Sequence, residues 1–114
     1  MASFGRLLRD KRRRAGVSQR DLAARAKLDF SYISKLENDR LAPPAADTIV
    51  AICQILEIDP KELLAASGKL PTDIQSTVAS SAAAQSFLLS ASKMDLTERE
   101  WEELTSSLHR LREG

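Results

Sequence analysis

The chain is 114 residues long, 43% hydrophobic and 29% charged, which leaves room for one compact domain and a short appendage but no second full core. Three Phe, one Tyr and one Trp supply few aromatic anchors, so the core must be built mostly from Leu, Ile, Val and Ala. The net charge of +1 hides a split: residues 1–40 hold eleven Lys or Arg against five Asp or Glu, whereas residues 41–114 hold six against eleven. A basic amino-terminal part followed by an acidic remainder suggests a polyanion-binding face and a second segment with another task.

No apolar signal stretch opens the sequence, so a cytoplasmic chain is expected. Phe4, Leu7, Leu8 and Lys11 lie at helical spacing, Ser3 can cap the start and Gly16 can stop the run, which predicts a helix over residues 4–15. Ser18 then caps a short helix, Gln19–Ala26, with Asp21 in its first turn and Leu22, Ala23 and Ala26 facing inward. Asp29 caps a third helix over residues 30–37, whose Ile33 and Leu36 lie three apart and point inward. Pro43-Pro44 breaks the chain before a fourth helix over about residues 45–56, marked by Ile49, Ile52, Cys53 and Leu56. Within that apolar run Cys53 reads as a small buried hydrophobe, and a lone cysteine excludes any disulfide framework. Asp59 caps and Pro60 opens a fifth helix, which runs through Leu63 and Leu64 to Gly68.

Beyond Pro71 the composition turns to Ser and Ala, and the helix preference of alanine predicts a sixth helix over about residues 73–91, with a flexible linker as the alternative. The uncharged stretch Ile74–Ser92 holds too much Ser, Ala, Thr and Gln to span a bilayer, so no membrane association is expected. Thr97 and Glu100 form a capping box, and Leu96 and Trp101 the two positions of a hydrophobic staple, at the start of a seventh helix from Glu98. Its Trp101, Leu104, Leu108 and Leu111 make a narrow stripe suited to a partner helix, within the chain or across a dimer. With no strand-like alternation anywhere, the expected fold class is all-α.

The segment Val17–Glu37, VSQRDLAARAKLDFSYISKLE, closely resembles the helix-turn-helix of the lambda-repressor and Cro-like (xenobiotic-response-element type) family of regulators. The resemblance runs from Phe4 to Leu70 and is carried by Ser18-Gln19, Leu22-Ala23, Ile33-Ser34 and Leu36-Glu37 at fixed offsets, followed by Pro44 and a helix like Thr48–Leu56. It implies a five-helix lambda-repressor-like DNA-binding bundle over residues 1–70, followed by two C-terminal helices in a dimerisation or interaction segment over residues 71–114. In such a bundle the third helix lies in a major groove about 12 Å wide and the second crosses the DNA backbone.

By position in the family's pattern, Phe30, Ser31 and Lys35 should point toward base edges, with Tyr32 nearer the sugar-phosphate backbone. Lys35 is the strongest reader, because a cationic donor suits the two acceptors of guanine, while Ser31 pairs with more than one base. Phe30 either meets a thymine methyl or folds back against Tyr32. Gln19, at the start of helix two, is expected on a phosphate, where a helix amino end favours an anion. Arg12 and Glu37 are expected as a structural ion pair joining helix one to the end of helix three. Arg13, Arg14 and Arg40, with Arg9 beside them, have no apolar-face duty and read as phosphate contacts or as solvated charges. Lys27 and Asp39 stand where relatives often carry glycine, at positions that call for positive φ.

The resemblance implies a sequence-specific transcriptional regulator, a repressor by preference, bound to a palindromic operator on double-stranded DNA as a homodimer. Two modules about 34 Å apart read a palindrome that one small module would hold weakly. The alternative is an antitoxin-like regulator whose C-terminal helices bind a protein antagonist or other partner. An enzyme is not expected, since the only histidine is His109 on the terminal helix, Cys53 has no evident base, and Glu102-Glu103 reads as a solvated pair. No cofactor and no metal site are expected, and the localisation expected is the cytoplasm of a bacterium or of a phage host, at the nucleoid when bound to DNA.

Overall fold

The computed structural model describes residues 3–113 of the chain. Among the described residues the chain forms α1 (Phe4–Arg14), α2 (Gln19–Ala26), α3 (Phe30–Glu37), α4 (Ala46–Leu56), α5 (Lys61–Ser67), α6 (Thr72–Ala79), α7 (Ala82–Met94) and α8 (Glu98–Arg110), and no strand. It divides into two compact units, Met1–Gln75 and Ser76–Gly114.

In the first unit the helices start where small polar side chains satisfy otherwise orphaned N–H groups. Ser3 Oγ accepts from the Arg6 N–H at 3.2 Å and Ser18 Oγ from the Asp21 N–H at 3.0 Å. Asp29 occupies the N-cap of α3 but makes no side-chain capping bond. At α5 the expected start shifts by one residue: Pro60 is itself the N-cap, and Asp59 Oδ1 accepts from the Lys61 N–H at 2.8 Å. Proline has no N–H to offer, so the aspartate reaches the next donor along.

The core takes at least one fully buried side chain from each of these five helices: Leu8, Leu22, Ile33, Leu36, Ile49, Ile52 and Leu63. Each contributes about 1.5–3 kcal/mol by leaving water. Ala23 is buried as well, and its small side chain lets α2 lie close to its neighbours. The contacts run α1–α3, α2–α3, α2–α4, α1–α5 and α4–α5, so α3 is gripped by the two helices before it while α4 and α5 close the bundle behind. Cys53 is buried in that closure, and burial, with a smaller effect from Asp59, pushes its thiol up to about 11. A thiol so held is inert at neutral pH.

The carboxyl-terminal stretch departs from expectation in one respect. In place of a single helix over residues 73–91 the chain forms two, α6 ending at Ala79 and α7 starting at Ala82. The pair Ser80-Ser81 causes the break. Ser80 Oγ donates back to the Ser76 carbonyl at 3.0 Å, while Ser81 adopts an extended backbone and its Oγ accepts from the Ala84 N–H at 3.1 Å. Serine competes for backbone partners in this way, and two in succession end one helix and cap the next. Farther on, the capping box is complete: Glu100 N–H donates to Thr97 Oγ1 at 3.2 Å and Thr97 N–H to Glu100 Oε1 at 2.9 Å. No helix among the described residues is long and apolar enough to cross a membrane.

Candidate nucleic-acid interface

The turn between α2 and α3 is made by Lys27, Leu28 and Asp29. Lys27 takes φ 58, and the Leu28 N–H returns to the Ala23 carbonyl at 2.8 Å, closing α2 in a left-handed cap. Past the end of α3, Asp39 takes φ 57. Both positions that lack glycine therefore adopt the left-handed backbone, at about 1–2 kcal/mol for a side chain of ordinary shape. Asp39 offsets that cost with its carboxylate, where Oδ1 accepts from the Gly5 N–H at 3.0 Å and Oδ2 from the Ser3 hydroxyl at 2.6 Å. The start of α1 is thereby fastened to the end of α3. Their approach is so close that a Cβ on Gly5 would overlap the Leu36 carbonyl oxygen, which fixes that residue as glycine.

Beneath the same junction lies a buried charge cluster. Arg12 Nε donates to Glu37 Oε2 at 2.6 Å and Arg12 Nη2 to Glu37 Oε1 at 2.9 Å, a bidentate pair with both residues buried. The third guanidinium nitrogen, Arg12 Nη1, donates to the Val17 carbonyl at 2.9 Å. Burial raises the Glu37 pKa, but hydrogen bonds from Arg12 and Gln19 and the charges of Arg12 and Arg9 outweigh it, leaving the carboxyl below its ordinary value of 4.5. The Glu37 hydrogen bond in turn holds the Arg12 guanidinium above its usual range.

Two residues expected on phosphates also reach this cluster. The Gln19 side-chain amide donates to Glu37 Oε1 at 2.9 Å, which turns it toward the protein, while the Asp21 N–H in the same turn is taken by Ser18 Oγ. Arg9 donates to Asn38 Oδ1 at 2.7 Å and lies 3.6 Å from Glu37 Oε1, so it braces the end of α3. The Asn38 bond is made through Arg9 Nη2, so this brace takes up only part of the guanidinium. Asn38, which also donates to the Ser34 carbonyl at 2.9 Å, and Gly5 carry this junction without having stood out in the sequence.

The outward face of α3 presents Phe30, Ser31 and Lys35 to solvent, with Tyr32 half-buried and packed against the core. Phe30 does not stand alone: the Arg20 guanidinium carbon sits over its ring at 4.6 Å from the centroid. Arg20 is a further basic residue at this face that the sequence does not single out; its position at the start of α2, ten residues from a ring across a turn, gives no periodic signal. Arg13, Arg14 and Arg40 are exposed, and none forms an ion pair among the described residues. No cluster of His, Cys, Asp or Glu among the described residues has the makings of a metal site.

A family model described as a helix-turn-helix domain matches residues 3–66. The chain belongs to the helix-turn-helix domain family. Its helix-turn-helix is α2–turn–α3, within the matched residues. The uncharacterized HTH-type transcriptional regulator RghRB of Bacillus subtilis (strain 168) is 31% identical over 70 residues, which are 61% of this chain and 50% of the relative. The match thus spans half the length of that protein. A chain of the SinR protein/SinI protein complex is similar in fold, with a TM-score of 0.52 at 16% identity, over 97% of this chain and 99% of the other.

Proposed function

We propose that this helix-turn-helix protein is a sequence-specific DNA-binding transcriptional regulator, a repressor that binds a palindromic operator as a homodimer. The observation that carries the reading is the outward face of α3, where the exposed side chains of Ser31 and Lys35 make no hydrogen bond or ion pair among the described residues and stand beside Phe30, while the inward face is locked by Ile33, Leu36 and Glu37. Lys35 pairs with guanine, Ser31 tunes the neighbouring base, and Tyr32 lies along the sugar-phosphate edge. Arg13, Arg14, Arg40 and the first turn of α2 hold the phosphates and so set the register of α3 in the groove.

The second unit supports the homodimer. Among its described residues only Ala91 is buried, and a unit of about 40 residues seldom holds itself together without a partner. Phe87 of α7, Trp101, Leu104 and Leu108 of α8 and Leu111 at its C-cap line an apolar groove of about 350 Å³. A second copy presenting the same stripe would fill it by two-fold symmetry. A second reading, in which a different protein occupies this groove, is favoured by the similarity in fold to a chain of a two-protein complex, SinR with SinI.

Selection of binding sites from random duplex DNA tests the proposal, with the full-length protein at one stated salt and with Lys35→Ala and Leu108→Glu alongside. An inverted repeat is expected, losing one base preference per half-site with Lys35→Ala and collapsing to a weak half-site with Leu108→Glu. Failure to enrich any sequence would remove the specific regulator, and an inverted repeat unaffected by Leu108→Glu would move the dimer contact elsewhere.

A further inference from the structure

Arg20 and Phe30 form the contact that ties the start of α2 to the start of α3. The guanidinium lies over the ring at 4.6 Å, Phe30 is 41% exposed, and Arg20 is exposed with no ion pair among the described residues. Neither residue owes its place to the core. A large ring at the first position of α3 contributes little to burial there, and a cation in the first turn of α2 meets the positive end of its own helix dipole. The guanidinium carbon lies over the ring, and the Arg20 side chain makes no hydrogen bond or ion pair among the described residues, so its N–H groups are available to an outside acceptor. A guanidinium edge matches the paired oxygens of a phosphate.

We propose that Arg20 is a DNA-backbone contact whose guanidinium is laid on the Phe30 ring, and that Phe30 is the residue that positions it. This rests on the DNA-binding reading above. The juxtaposition suits it, because in a helix-turn-helix the start of the second helix and the start of the recognition helix flank the same strand. Arg20 then adds one phosphate, and Phe30 influences affinity for every sequence alike without discriminating among bases.

The test measures binding of the full-length protein to its selected site and to random duplex across a salt series, for wild type, Arg20→Gln, Phe30→Ala, Phe30→Tyr and the Arg20→Gln/Phe30→Ala pair. Both side chains are exposed, so unchanged thermal unfolding is expected and is checked for each variant. Arg20→Gln should weaken binding about tenfold and flatten the plot of log affinity against log salt by about 1. Phe30→Ala should weaken binding severalfold on all sequences, Phe30→Tyr should restore it, and the double variant should be no weaker than Arg20→Gln alone. An unaltered salt slope for Arg20→Gln overturns the contact, and a change of base preference at one half-site position with Phe30→Ala overturns the positioning role. A wild-type protein that binds no duplex at all removes the DNA-binding reading itself, and the wild-type curve alone reveals that case.

Discussion

Replacing Glu37 by alanine isolates the charge cluster under α3. The substitution takes both acceptors from Arg12, one from the Gln19 amide and the nearest carboxylate from Arg9, while Arg12 stays buried with only the Val17 carbonyl to accept from it. Breaking a buried pair by removing one partner costs about 3–5 kcal/mol, because the remaining charge is left uncompensated. A unit of this length has a total stability of about 4–11 kcal/mol at 0.05–0.15 kcal/mol per residue, so Glu37→Ala should remove close to half of it. With a urea dependence of about 1 kcal/mol per molar, the unfolding midpoint followed by circular dichroism at pH 7 should fall by about 3–5 M. Glu37→Gln, which keeps the shape and one acceptor, should cost roughly half as much. The variant carrying both Arg12→Met and Glu37→Met removes the two charges together and should be more stable than Glu37→Ala alone. A Glu37→Ala cost below about 1 kcal/mol, or a double-variant cost equal to the sum of the single ones, would refute the account of a coupled buried pair.

Acid should act on the same group. The folded-state pKa of Glu37 lies below its ordinary 4.5, so its stabilising effect is complete above that value and is lost as pH falls through the lower folded one. Urea midpoints measured below pH 4.5 should therefore decline less steeply for Glu37→Gln than for wild type. Gly5→Ala should destabilise by about 1–3 kcal/mol in thermal unfolding, since the new methyl group meets the Leu36 and Glu37 carbonyl oxygens, even though alanine is the better helix former. Leu108→Glu places a charge in the α8 stripe and should shift the protein to monomer in sedimentation equilibrium while far-ultraviolet circular dichroism of the first unit is retained. Among the basic residues, Arg13→Ala should flatten the salt dependence of DNA binding by about 1, whereas Arg9→Ala should leave that slope unchanged and lower the melting temperature.

What the sequence makes legible is the part of the fold dictated locally. Ser3, Ser18 and Thr97 cap their helices because a short hydroxyl side chain has few other uses at those positions, and Leu8, Leu22, Ile33 and Leu36 are buried as their spacing requires. The left-handed backbone at Lys27 and Asp39 is legible from where the family keeps glycine. Less legible is any residue whose role depends on a distance across the fold. Arg9 and Arg13 lie four residues apart on one helix, yet only the folded position of Asn38 and Glu37 makes the first a brace and leaves the second exposed. Gln19 is ambiguous for the same reason, as its amide serves a carboxylate or a phosphate equally well. The Ser80-Ser81 break escapes a propensity argument because alanine on both sides favours helix whether one helix forms or two.

The basic run Lys11-Arg12-Arg13-Arg14 shows why charge counting alone misjudges a DNA-binding face. Successive residues on a helix point about 100° apart, so four in a row cannot share one surface. Lys11 turns to Glu62 on α5 at 2.5 Å, Arg12 turns inward to Glu37, and Arg13 and Arg14 stay exposed. Of the eleven basic residues in residues 1–40, Arg9, Lys11, Arg12 and Arg25 lie in ion pairs, and seven form none among the described residues. On the proposed DNA-binding reading, the internal ones act on binding through geometry. A pair of apolar side chains would fill the space under α3 as well as Arg12 and Glu37 do, but it would lack direction. The bidentate pair is bonded at once to Val17, Gln19 and the end of α3, which fixes α1 against the recognition helix in one orientation. Phosphate contacts carry register only if their spacing from the base-reading side chains is constant. On the proposed reading, the buried arginine supplies that constancy for phosphate contacts made by the exposed ones.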